Sequence, residues 1–95
     1  MIEDNMLDKL RGQMDNTDNE IMILLKRRIQ TSRKIAQYKL KNNLEIYQRE
    51  RENQVINEKI SKAINMDLDK EFVLDLFERI ILESKKEQQK VMDKK

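Results

Sequence analysis

Residues 4–42 leave the chain few ways to fold. They contain no Pro and one Gly, Gly12, and Leu7, Leu10, Met14, Ile21, Leu24, Leu25, Ile29 and Ile35 recur mostly at helical spacing. The spacing predicts one helix from Asp4 to about Asn42, roughly 58 Å long at about 1.5 Å per residue. A compact domain of this size has a radius of gyration of only about 12 Å, so the rest of the chain is too short to wrap such a helix. A partner chain has to cover what is left.

Three cations mark the same helix. Sevens counted from Leu7 run through Met14, Ile21, Arg28 and Ile35, which puts a guanidinium where the repeat calls for an apolar side chain. Burying it without an anion is costly. Lys39 lies three turns on, rotated only about 20° from Arg28 and roughly 16 Å along the axis, so the two share a face with room for a small anionic ligand between them. Arg11 sits about 25 Å before Arg28, beyond reach of that ligand. If Arg11 serves such a site, it serves the partner's.

Composition narrows the chemistry. Of the residues, 38% are hydrophobic and 40% charged, a balance compatible with disorder, but the apolar residues are periodic and so favour helices that share a core. One small domain over residues 1–95 is expected, of a size for which oligomerisation commonly supplements a modest core. Lys and Arg number 20 against 18 Asp and Glu, interleaved rather than massed, so no nucleic-acid footprint stands out. With no Cys and no His there is no thiol nucleophile, no disulfide and no usual zinc or haem ligand set. No cofactor is expected. The N-terminus, Met1-Ile2-Glu3-Asp4, has neither a basic n-region nor an apolar h-region, and no run approaches the ~18 apolar residues of a membrane span. These features predict a cytoplasmic chain with no membrane partner.

Asp4 or Asn5 is suited to cap the first helix and Asn42-Asn43 to stop it, with Leu44 to Tyr47 as a short connection. A second helix from about Gln48 to Ile64 turns Val55, Ile56, Ile60, Ala63 and Ile64 inward. A third, begun by Asp67 or Asp69 and running to about Met92, carries the stripe Phe72, Val73, Leu76, Phe77, Ile80 and Ile81. The charged stretch from Lys85 onward is expected to fray at its end. The fold class is all-α, with a long, a short and a medium helix.

Polar residues interrupt the apolar stripes of the later helices as well. Ser84 is seven beyond Phe77 and Gln88 seven beyond Ile81; Gln48 and Glu52 lead into Ile56 and Ile60 at steps of four, and Arg51 leads into Val55. Each has an ordinary explanation: a Ser bonded back to its own helix, a Gln at a partly exposed edge, a helix start laced with weak ion pairs, a buried Arg28 paired with a core Glu, and Arg11 as surface decoration. The coincidence of all of them is more telling than any member. Together they suit a small polyanion that carries a hydroxyl or ether oxygen. No nucleophile or evident proton shuttle is among them. An enzyme built on this set would work by holding a reactive conformation and stabilising developing charge.

The ordered set Leu10-Arg11, Asp18, Leu24-Leu25-Lys26-Arg27-Arg28, Ile35-Ala36, Lys39, Arg49, Arg51-Glu52, Phe77, Ile80-Ile81, Ser84 and Gln88-Gln89 resembles the all-helical chorismate mutases, in particular the mutase domain that opens bifunctional chorismate mutase/prephenate dehydratase proteins. The resemblance spans residues 7–89. It implies an intertwined homodimer of three-helix chains with the long helices antiparallel and two equivalent sites, each completed by Arg11 of the other chain. It also implies the Claisen rearrangement of chorismate to prephenate, a step of aromatic amino acid biosynthesis that requires no general acid, base or covalent intermediate. Nothing resembling a dehydratase or regulatory segment lies within the sequence, which fits a free-standing mutase, an excised domain or a variant equally.

By the same resemblance, Arg28 and the partner's Arg11 hold the two substrate carboxylates, with support from Arg51 and Ser84. Lys39 and Gln88 donate to the ether oxygen, and Glu52 accepts from the ring hydroxyl. Gln48 stands at that corner, where relatives can carry Asp, and the connection before Tyr47 lacks a Pro that relatives can have. An isochorismate-pyruvate lyase of related fold and a helical dimerisation module without ligand are the alternatives. Product identity separates the first, and a ligand-dependent rise in melting temperature the second. The ether-oxygen role predicts that Lys39→Ala lowers kcat/KM for chorismate by more than about tenfold, read from initial rates.

Overall fold

A computed structural model describes residues 2–94, which form three helices and no strand: α1 (Ile2–Lys41), α2 (Arg49–Asn65) and α3 (Lys70–Asp93). The all-α architecture is as the periodicity predicts. α1 starts earlier than expected, so Asp4 and Asn5 lie inside it rather than capping it; no Gly or Pro precedes them to stop the helix.

The helix stops follow from a few side chains. Asn43 takes a left-handed backbone (φ 55°), and the Leu44 N–H returns to the Lys39 carbonyl at 2.8 Å. Asn42 Nδ2 adds a bond to the Tyr38 carbonyl at 2.8 Å. These bonds satisfy carbonyls that the end of α1 would otherwise leave open. α2 stops in the same way, with Asp67 at φ 57° and the Leu68 N–H on the Ala63 carbonyl at 2.8 Å. Asp69 then caps α3, accepting from the Glu71 N–H at 3.0 Å. Of the two aspartates expected to start α3, one ends the preceding helix and the other caps the next.

α3 is the central element: it packs against α1 and against α2, whereas α1 and α2 do not pack on each other. The core is narrow. Ala36, Ala63 and Val73 are buried together with the polar Ser32 and Gln88, and no large side chain among the described residues is fully enclosed. Three residues expected inside, Ile64, Phe72 and Leu76, are exposed. Ile64 and Phe72 each stand about 100° round the helix from the buried residue beside them, Ala63 and Val73, and so turn off the packed face. Leu74 is half-buried in their place. α3 continues to Asp93, one residue beyond the expected end. Val91 and Met92 remain half-buried, and polar neighbours pair along the helix, Lys86 with Glu83 at 3.3 Å and Gln89 with Asp93 at 2.8 Å.

α1 outruns the elements available to cover it. The molecule measures 62 × 29 × 14 Å with a radius of gyration of 17.8 Å, well above the value of about 12 Å for a compact chain of this length. Leu7, Leu10, Met14, Ile21 and Leu24 are between 45% and 64% exposed along its N-terminal half. A Cβ added at Gly12 would meet nothing within 4 Å, so no contact inside the chain requires glycine there. Among the described residues no helix is long and apolar enough to cross a membrane.

Ala36 is completely buried and lies between two places where α1 touches α3, Ser32 with Ser84 and Lys39 with Gln88. Enlarging it drives the helices apart. Ala36→Leu is expected to lower the unfolding free energy by about 1–3 kcal/mol, measured as a fall in the urea midpoint followed by tyrosine fluorescence.

Candidate active site

A cleft of about 450 Å³ opens between the C-terminal half of α1, the first turns of α2 and the C-terminal half of α3. The helical register explains its lining. Arg28, Ser32, Ile35 and Lys39 follow at steps of three and four along one face of α1, and Ser84 and Gln88 are one turn apart on α3. α2 contributes Arg51, Glu52 and Val55, and Gln48 stands just before it with extended backbone (φ −128°, ψ 96°) and no capping bond from its side chain. Arg28, Lys39, Gln48, Arg51, Glu52, Ser84 and Gln88, all singled out in the sequence, therefore meet around one space. Arg11 does not. It is exposed on α1, about 25 Å from Arg28 along the axis.

A chain of hydrogen bonds forms one wall. Lys39 Nζ donates to the Ile46 carbonyl at 2.7 Å and to Gln88 Oε1 at 3.1 Å. Gln88 Nε2 donates to Ser84 Oγ at 3.3 Å, and the Ser84 and Ser32 hydroxyls bond to each other. Gln88 is buried, so these partners are what makes an amide tolerable there. The bonds do not use every donor: the ammonium has three N–H groups and the amide two, so Lys39 and Gln88 each keep one.

Positive charge dominates the lining, with Arg28, Lys39, Arg51 and Lys85 against the single carboxylate of Glu52. Glu52 Oε1 pairs with Lys85 Nζ at 2.9 Å, while Glu52 Oε2 is buried without a hydrogen-bond partner. Arg51 donates to Gln54 Oε1 at 2.9 Å. None of the ion pairs among the described residues engages Arg28 or Arg51. Burial and then the nearby Arg51 charge both act to lower the Arg28 pKa; a guanidinium nevertheless stays charged. Burial also lowers Lys39, with Glu52 opposing it. Cations held close together without counter-charge are the arrangement that an incoming polyanion stabilises.

Four members of the site escaped the sequence reading, among them Thr31, whose hydroxyl donates back to the Arg27 carbonyl at 3.0 Å. Ser32 lies four residues after Arg28 and seven before Lys39, so its spacing carried the signal, but a small hydroxyl in a helix has too many ordinary uses to stand out. Lys85 adjoins Ser84 and reads as the start of a charged tail. The Ile46 carbonyl is a backbone group in a connection and has no side-chain signature.

Comparison with known proteins points to one family. Residues 10–89 match the profile described as chorismate mutase type II. The chain is 35% identical over 94 residues to a bifunctional chorismate mutase/prephenate dehydratase from Buchnera aphidicola subsp. Acyrthosiphon pisum (strain APS), over 99% of this chain and 24% of that relative's length. It is 31% identical over 83 residues to a 4-amino-4-deoxychorismate mutase from Streptomyces venezuelae, over 87% of this chain and 81% of that relative. No solved structure matches the chain.

The match to the chorismate mutase type II profile, together with the cations left without counter-charge, predicts that a rigid bicyclic dicarboxylate raises the melting temperature in proportion to the logarithm of its concentration at pH 7. Lys39 is charged below its own pKa, which burial holds under the ordinary value of 10.5. The stabilisation should therefore begin to shrink as pH rises, before 10.5 is reached. Lys39→Arg, which keeps its charge, is expected to delay that loss, as measured by thermal shift across an alkaline pH series.

Proposed function

The chain belongs to the chorismate mutase type II family, and we propose that it rearranges chorismate to prephenate in a cleft completed by a second copy of itself. The observation that carries this reading is a cation-rich lining that holds no Cys or His, in which Arg28 and Arg51 lack a carboxylate partner among the described residues beside Lys39 and Gln88. The reaction calls for groups that hold carboxylates and donate to an ether oxygen, and for no covalent or proton-transfer step. One carbon–oxygen bond breaks as one carbon–carbon bond forms within the same molecule, and no proton changes place.

Arg28, supported by Arg51 and Ser84, grips a substrate carboxylate through its planar fork. Fixing the carboxylates folds the enolpyruvyl arm over the ring and converts a rare conformer into the bound one. Negative charge then builds on the ether oxygen as its bond to the ring stretches. The spare N–H groups of Lys39 and Gln88 meet that charge, and donors of this kind are each worth roughly 3 kcal/mol of barrier. Glu52 Oε2, buried and unpartnered, accepts from the ring hydroxyl, with Gln48 beside it.

The second carboxylate falls to the partner's Arg11. The exposed Leu7, Leu10, Met14, Ile21 and Leu24 favour an antiparallel pairing of two α1 helices, since burying them against lipid-free water-facing neighbours of the same kind recovers hydrophobic area. An axis of twofold symmetry near Ile21 would set the partner's Arg11 beside Thr31, a residue of the cleft wall. Gly12, which no contact within the chain explains, then lies where two helices approach.

A second reading comes from the relative named for 4-amino-4-deoxychorismate, whose amino group would meet Glu52 in place of the hydroxyl. Loss of chorismate absorbance with chromatographic identification of prephenate tests the main reading; unchanged chorismate would overturn it. The shared site has its own test. Arg11→Ala and Arg28→Ala should each be nearly inactive alone, yet after subunit exchange they should recover about a quarter of wild-type activity, because mixed dimers are half the population and keep one intact site. No recovery despite demonstrated exchange would show that Arg11 does not serve the partner's site, and an active Arg11→Ala would place it outside the site altogether.

A further inference from the structure

Lys85 borders the cleft but has no part in the rearrangement as described above. Its ammonium is held from two sides, 2.9 Å from Glu52 Oε1 and 4.1 Å from the centre of the Tyr47 ring. Packing does not call for it, since 36% of its side chain is exposed and its neighbours Ser84 and Gln88 make the bonds to α1. What it does is occupy one oxygen of the only carboxylate in the cleft lining and leave the other, Oε2, buried and unpartnered. Gln48, beside it, adds no charge.

We infer that Lys85 determines specificity at this corner: by pairing with Glu52 it admits a neutral hydroxyl on the substrate ring and disfavours an ammonium in the same place. The inference rests on the proposed chorismate mutase activity and adds a substrate preference to it. A hydroxyl donates one proton to Oε2 while Lys85 keeps Oε1, so two donors satisfy two oxygens. An ammonium brought to the same carboxylate faces the Lys85 charge across it. The two cations then share one negative charge at close range, and their repulsion weakens binding of the second. The selectivity comes from a repulsive element rather than from a better contact to the preferred substrate. Tyr47 supports it by holding the lysine at the rim, where the ring face attracts a cation.

The test compares kcat/KM for chorismate and for 4-amino-4-deoxychorismate at pH 7 and low ionic strength in the wild-type protein and in Lys85→Met, Lys85→Gln and Lys85→Arg. The wild type should prefer chorismate. Met and Gln should each shift the preference toward the amino compound by about tenfold or more, mainly through its KM, and Arg should retain the wild-type ratio. An unchanged ratio in both neutral variants overturns the inference while leaving the mutase reading intact. A ratio that shifts equally in Lys85→Arg also overturns it, because charge is then not the cause. If the wild type converts neither compound, the functional reading fails and this inference falls with it.

Discussion

The crossing of α1 over α3 is held by polar groups where a small helical protein would ordinarily use hydrocarbon. Ser32, Ser84, Gln88 and Lys39 bond in series across it, and Ala36 fills the gap between them. Each such bond contributes only about 1 kcal/mol net, but a buried group left without its partner costs up to about 3 kcal/mol. Sliding either helix by one turn would strand several of these groups at once. The series therefore sets the register of the two helices, and register is what brings Arg28 opposite Arg51 and Glu52. The same atoms hold the fold and form the wall of the cleft.

The electrostatics run against stability. Arg28 is partly desolvated, lies near another guanidinium and has no carboxylate partner among the described residues. A chain optimised only to fold would place a methionine or leucine there, as the heptad pattern calls for. Keeping arginine makes sense when a ligand brings the missing charge. Burial at Lys39 has a related effect, because a partly dehydrated ammonium interacts more strongly with a charge that develops beside it.

Much of this arrangement was legible in the residues. The length of α1, its stop at Asn42-Asn43 and the cap at Asp69 follow from backbone chemistry that depends on near neighbours alone. Arg28, Ser84 and Gln88 were visible as polar residues where an apolar repeat should have continued, and Lys39 as a second cation on the face of Arg28. Lys85 was not, because a lysine in a charged stretch becomes distinctive only once α2 brings Glu52 to it. The Ile46 carbonyl had no signal, since its role depends on the path of a connection. Phe72 and Ile64 were misplaced because a stripe read one residue too wide turns about 100° away from the packed face.

The bonds that build the cleft wall join residues far apart along the chain, 52 positions for Ser32 and Ser84 and 49 for Lys39 and Gln88. Individual helices form within about a microsecond, and α2 meets α3 through a connection of only a few residues. Docking of α1 on α3 is the step that must close the long loop, and in reverse it is the natural first point of opening. An opened chain would keep nearly all of its helical hydrogen bonds and still have no cleft. Helix content is thus a poor gauge of competent protein, and a preparation that looks fully folded by backbone signal can be empty of chemistry.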